Sequence, residues 1–164
     1  MKINQEGINI IKHFEGLHDG NLNLLGLQPK MCPAGIWTEG YGRAMRDAKG
    51  NFIKGKENKD LAYSRITINT EKEAEEALKK DVSYREQTVS QKIKVPINEN
   101  QFSALVSYVY NTGGSSTLYK LINSKASDKD IRNWIENHYI SAGGVILNGL
   151  IRRRKAEANL YFKL

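Results

Sequence analysis

Seven of the chain's 14 glycines and two of its three prolines fall between residues 17 and 68. Glycine loses the most backbone freedom on entering a helix, and proline removes a donor and clashes with the preceding turn. This stretch therefore cannot continue a helix, yet helical patterning flanks it on both sides. Ile3, Ile8, Ile10, Ile11 and Phe14, with Gly7 among them, fall largely on one helical face. Asn4 suits an N-cap and Gly16 a stop. A first helix is expected over about residues 4–15, with Glu15 at its C-terminal end. Within the glycine-rich stretch, Ile36-Trp37-Thr38 and Arg65-Ile66-Thr67-Ile68 suit strands. Asp47-Ala48-Lys49-Gly50-Asn51 suits the turn between two of them.

Helical signals return at Thr70. Thr70-Glu71-Lys72-Glu73 reads as a capping box, with Ala74, Ala77, Leu78 and Val82 as an apolar stripe behind it. Pro96 ends that stretch or begins the next loop. Asn98 with Gln101 caps a further helix carrying Phe102, Leu105, Val106 and Val109. Leu118, Leu121 and Ile122 mark a short helix, and Ser127 with Asp130 caps another that holds Ile131, Trp134 and Ile135. Gly143-Gly144 breaks the chain before a last helix from near Leu150. The expected fold class is α+β, in one domain spanning residues 1–164. A small β lobe over about residues 17–68 is inserted after the first helix, and residues 1–16 and 69–164 form a mainly helical lobe. Such an insertion would leave a cleft at the junction, where substrates tend to sit.

Charge and cysteine narrow the function classes. Lys and Arg number 25 against 18 Asp and Glu, a net +7. This suits solubility, or an anionic polymer such as nucleic acid or bacterial cell wall. The basic residues are spread along the chain, apart from Arg152-Arg153-Arg154-Lys155, without the basic stripe and interleaved aromatics of a nucleic-acid binder. The single cysteine, Cys32, excludes an intramolecular disulfide. Polar residues interrupt every apolar pair near the N-terminus, so no signal peptide is expected, and no run approaches the ~20 apolar residues of a membrane span.

Few residues stand out for chemistry. Glu15 falls where the first helix meets the β lobe, and removal from water there would favour the neutral carboxyl that a general acid needs. A surface glutamate in a last helical turn is the plainer reading. Cys32-Pro33-Ala34-Gly35-Ile36-Trp37-Thr38-Glu39-Gly40-Tyr41-Gly42 packs backbone constraints around a thiol and a hydroxyl, although a tight hairpin around a core Trp and Tyr would look similar. Asp19 is a rival carboxylate, but His18-Asp19-Gly20 reads more readily as a turn. Glu39 is a weaker rival, since it alternates with Thr38 along a strand. His18 and His138 lack partners at metal-ligand spacing, so neither a metal nor a cofactor is expected. Trp37 and Trp134 suit a core better than sugar stacking.

His13-Phe14-Glu15-Gly16-Leu17 followed by Pro33-Ala34-Gly35-Ile36-Trp37-Thr38-Glu39-Gly40-Tyr41-Gly42 resembles the signature of phage-type lysozymes, the T-even-like and lambdoid endolysins of glycoside hydrolase family 24. The resemblance continues through Asn100 to Ser107, through Asn111-Thr112-Gly113, and through Gly149 to Glu157. It implies a lysozyme-like fold and hydrolysis of the β-1,4 bond between N-acetylmuramic acid and N-acetylglucosamine in peptidoglycan. By motif match the catalytic set falls on Glu15, Cys32 and Thr38. A basic residue of the last helix supports the acid; Arg152 matches best, with Arg153 as the alternative. Gln101 and Asn111 match stretches that face the substrate or shape the cleft. The resemblance also implies a monomer that binds peptidoglycan strands, binds no nucleic acid, and is not stably inserted in a membrane. Such a protein would be made in a host cytoplasm and would reach the wall through a holin-type pore or by lysis.

Two departures matter. Cys32 lies 17 residues after Glu15, about twice the separation in relatives, with the extra residues within His18 to Met31. The middle catalytic position is also a cysteine instead of an aspartate. Bond cleavage needs a proton on the glycosidic oxygen and, in an inverting enzyme, a water activated on the opposite face. Glu15 would supply the first. A free thiol titrates near ~8.5 and is mostly neutral at neutral pH, so Cys32 suits positioning water more than taking its proton. The departures keep three other readings open: a catalytically decayed wall-binding module, a nucleic-acid binder, and a lytic transglycosylase that cleaves the same bond without water.

Overall fold

A computed structural model describes all residues, Met1 to Leu164. The chain forms two compact units, one of Met1–Phe14 with Val82–Leu164, the other of Glu15–Asp81. Seven α-helices and five very short strands appear in the order α1 Gln5–Glu15, β1 Lys30–Met31, β2 Trp37–Glu39, β3 Arg43–Ala44, α2 Lys59–Ser64, α3 Glu71–Lys92, α4 Glu99–Thr112, α5 Ser116–Asn123, α6 Asp128–Asn137, β4 Ser141–Ala142, β5 Val145–Ile146 and α7 Asn148–Tyr161. No helix is long and apolar enough to cross a membrane.

The local signals act as read. The Asn4 side chain accepts from Gly7 N–H at the start of α1. Thr70 and Glu73 exchange hydrogen bonds ahead of α3. Asn98 and Gln101 form a reciprocal capping box on α4, and Ser127 caps α6. Each satisfies backbone donors that a helix start leaves open, using groups within three residues.

In the first unit α4 is the central helix, with every residue from Phe102 to Val109 buried. It packs on α7, which packs in turn on α6. Gly7 lets α1 approach closely, since a Cβ there would stand 2.9 Å from the Ser103 Cβ. The Ser103 hydroxyl accepts the Asn4 N–H on the same side. A polar knot joins α4 to α7. Glu157, 1% exposed, accepts from Ser107 Oγ at 2.7 Å, from Arg153 Nε at 3.1 Å and from Arg154 Nη1 at 2.5 Å. Arg154 also donates to the Asn111 side chain. Burial works against the charge on Glu157, and the two guanidiniums and the Ser107 hydroxyl offset it.

The second unit holds a three-stranded antiparallel sheet, ordered β1-β2-β3. Lys30 pairs with Thr38, and Glu39 with Arg43. Trp37, Met45, Ile53 and Ala62 form its core, flanked by Met31 and Tyr63. Trp37 Nε1 donates to the Gly55 carbonyl at 2.8 Å, which fixes this Trp in a core role. The turn at Asp47 forms as expected, its carboxylate accepting from Lys49 N–H and Asn51 N–H.

Two readings need correction, and one helix carried no signal. Arg65–Ile68 is not a strand. The backbone N–H groups of Thr67 and Ile68 donate to the buried Glu39 carboxylate, so this segment satisfies its donors without a neighbouring strand. α2, six residues long, is too short to show a helical period. Gly143-Gly144 is the turn of the β4–β5 hairpin and not a plain break.

Replacing Glu157 with Gln would leave two buried guanidiniums without a counter-charge. Urea denaturation of Glu157→Gln should show a loss of about 3–5 kcal/mol. A loss under about 1 kcal/mol would mean that the knot does not hold α4 to α7.

Candidate functional site

Glu15 ends α1, and the chain turns at Gly16 with φ +73°. His18 N–H then donates to the Gly40 carbonyl at 2.8 Å, an isolated antiparallel bridge that lays this segment along the end of β2. Gly42 makes room for the acid. Its φ is +83°, and a Cβ there would lie 3.3 Å from Glu15 Oε2. Any side chain at position 42 would press on the carboxylate and strain the backbone together.

Thr38 is buried and faces Lys30 across the β1–β2 ladder. Its hydroxyl donates to the Lys30 carbonyl at 2.8 Å. The same oxygen lies 3.1 Å from Nδ1 of His18. Cys32, a free and half-buried thiol, follows two residues after Lys30. It opens a tight turn in which its N–H donates to the Ile36 carbonyl and its carbonyl accepts from Gly35 N–H. Glu15, Cys32 and Thr38 thus belong to one compact unit, along with His18.

The rival carboxylates are occupied. Asp19 Oδ1 accepts from Asn21 N–H and Gln28 N–H, and Gly20 N–H donates to the Gln28 carbonyl. Asp19 therefore closes the base of the additional loop, whose Leu22 and Leu25 are strongly exposed. Glu39 is 5% exposed and receives Thr67 Oγ1 at 2.5 Å besides two backbone donors.

The remaining expected residues lie in the first unit. Arg152 is exposed on α7, whereas Arg153 is buried. The Arg153 guanidinium lies 5.9 Å from the ring of Phe14, the residue before Glu15. Gln101 spends its amide oxygen on the α4 cap, accepting from Asn98 N–H at 2.9 Å. Asn111 accepts from Arg154 through its own amide oxygen. Trp134 stacks on the His138 ring, centroids 3.5 Å apart.

His18 is the residue that sequence reasoning passed over. Its partner Thr38 is 20 residues away, and only the His18–Gly40 bridge brings the two together. Burial is the main influence lowering the ring's proton affinity below the ordinary 6.5, with the Lys30 ammonium adding and the Glu15 carboxylate opposing.

The family model described as phage lysozyme matches residues 12–157. The endolysin of Acyrthosiphon pisum secondary endosymbiont phage 1 is 30% identical, over 98% of this chain and 98% of the relative. The endolysin of Bacillus phage B103 is also 30% identical over 98% of this chain, but the chain spans only 54% of that relative's length. Among solved structures, an endolysin from Escherichia coli O157:H7 phage FAHEc1 superposes with a TM-score of 0.73 at 30% identity, covering 99% of this chain and 94% of that one. The mainly helical architecture with its small sheet after the first helix is therefore lysozyme-like.

A histidine whose folded pKa is depressed favours folding while neutral. That contribution is complete above pH ~6.5 and is lost as pH falls. NMR titration of the three histidines should place the His18 midpoint below 6.5, with the neutral proton on Nδ1. Lys30→Met should raise that midpoint and Glu15→Gln should lower it. A midpoint at or above 6.5, or a proton on Nε2, would contradict this geometry.

Proposed function

The chain belongs to the phage lysozyme family, and from that premise we propose that it is a muramidase hydrolysing the β-1,4 bond between N-acetylmuramic acid and N-acetylglucosamine in bacterial peptidoglycan. The observation that supports this reading is that Glu15, Cys32 and Thr38 lie in the same unit, with Gly42 leaving room beside the Glu15 carboxylate. Protonated Glu15 gives its proton to the glycosidic oxygen as the bond to the anomeric carbon breaks. A water attacks that carbon from the opposite face, the inverting course.

Thr38 and Cys32 position that water. The Thr38 proton is held by the Lys30 carbonyl, so this hydroxyl meets water as an acceptor. Arg153 takes the supporting role in preference to Arg152, because it is buried beneath the residue that precedes Glu15. Gln101 and Asn111 each use an amide oxygen internally, which leaves their NH₂ groups as donors for glycan hydroxyl or acetamido oxygens. The net charge of +7 favours approach to an anionic wall and makes that approach salt-sensitive. Action as a monomer, and release through a holin-type pore or by lysis, belong to the same proposal.

Mass spectrometry of fragments from defined peptidoglycan tests it. Wild type should release muropeptides with ordinary reducing ends. Glu15→Gln should lower release by about 10²-fold or more, and Cys32→Ser should stay within about tenfold of wild type, as a positioner would. Anhydro ends would replace hydrolysis with transglycosylation, and no fragments under reducing conditions would overturn the reading on this substrate.

A further inference from the structure

A threonine hydroxyl carries one proton. At Thr38 that proton goes to the Lys30 carbonyl, which is only an acceptor. The 3.1 Å contact from the same oxygen to His18 Nδ1 is then a hydrogen bond only if the ring donates. In the neutral ring this places the proton on Nδ1 and the basic lone pair on Nε2. His18 is thereby an oriented base: its tautomer is set by a partner that is itself anchored to the sheet, and its backbone is pinned to Gly40.

We propose that His18 is the general base of the reaction, its Nε2 taking a proton from the water that attacks the anomeric carbon. The inference rests on the hydrolytic reading above. The water oxygen bonds to the anomeric carbon while the bond from that carbon to the leaving oxygen breaks. The Glu15 proton goes to the leaving oxygen, and one water proton passes to Nε2. The imidazolium then returns its proton to solvent, Glu15 is reprotonated, and no further reagent is needed.

The surroundings suit this task. The groups facing the ring are the Thr38 hydroxyl and the Lys30 ammonium from the sheet, and the Glu15 carboxylate from the end of α1. Half-burial and Lys30 lower the ring's proton affinity, and Glu15, once protonated for its acid role, no longer opposes them. The neighbouring Asp19 is engaged by two backbone N–H groups of its own loop. Cys32 brings a thiol and no carboxylate to the unit, so among these side chains the imidazole is the base matched to neutral pH.

The test compares kcat, KM and the pH profile of muropeptide release for wild type, His18→Asn, and Glu15→Gln. An asparagine amide can replace the Nδ1–H donor to Thr38 but cannot take a proton. His18→Asn should lose about 10²-fold or more in kcat with KM little changed. It should also lose the acid limb of the profile, which in wild type falls below pH ~6.5 as the base becomes protonated. Azide, a nucleophile that needs no deprotonation, should restore turnover and yield a glycosyl azide. His18→Gln carries the same test should His18→Asn not fold. If His18→Asn keeps its rate and acid limb, or loses rate without azide rescue while keeping that limb, His18 is not the base. In either case an inactive Glu15→Gln would leave the hydrolytic reading standing. An active Glu15→Gln would overturn that reading and this inference with it.

Discussion

A carboxylate sealed from water needs partners as strong as the water it gave up. Glu157 has three, Arg153, Arg154 and the Ser107 hydroxyl, and they come from two helices. An apolar seam between α4 and α7 would tolerate small rotations of one helix against the other. The ion pairs themselves lie within α7, but the hydrogen bonds from Ser107 to Glu157 and from Arg154 to Asn111 cross the seam, and each holds only while its donor stays within reach. The phase of α7 is thereby fixed, and with it the burial of Arg153 under Phe14 and the exposure of Arg152. Asn111 extends the same network, accepting from Arg154 at the end of α4.

The second unit has little sheet with which to stabilise itself. Its strands are two or three residues long, and such ladders are marginal alone. Side chains do much of the joining instead. Glu39 gathers the donors of Thr67 and Ile68, Asp19 closes the additional loop, and Tyr41 donates to Glu71 at 3.0 Å. Arg43 grips both oxygens of Asp81 on α3. Polar residues that looked like candidates for chemistry therefore serve the frame of this unit.

The proposed chemistry turns on where protons sit. Thr38 has one to give, and the carbonyl opposite it in the sheet receives it. That single bond decides the histidine tautomer. A ladder register, Lys30 against Thr38, thus reaches directly into the protonation pattern of the site.

The sequence by itself determined what depends on near neighbours and on motif. Asn4, Thr70 with Glu73, Asn98 with Gln101, and Ser127 start helices as read, because a cap acts across about three residues. The glycine and proline density of residues 17–68 marked the small sheet, and the motifs around Glu15 and Thr38 marked the family. Only tertiary structure decided the rest. Arg65–Ile68 has strand-like residues, but its donors are taken by Glu39 from 28 and 29 residues away. Arg152 and Arg153 are alike in sequence, and the packing of α7 left the first exposed and buried the second. His18 carried no local sign of a role, since its partner lies across a bridge 20 residues on. A hydrogen bond depends on a few tenths of an ångström between groups far apart in the chain, and only the folded chain sets that distance.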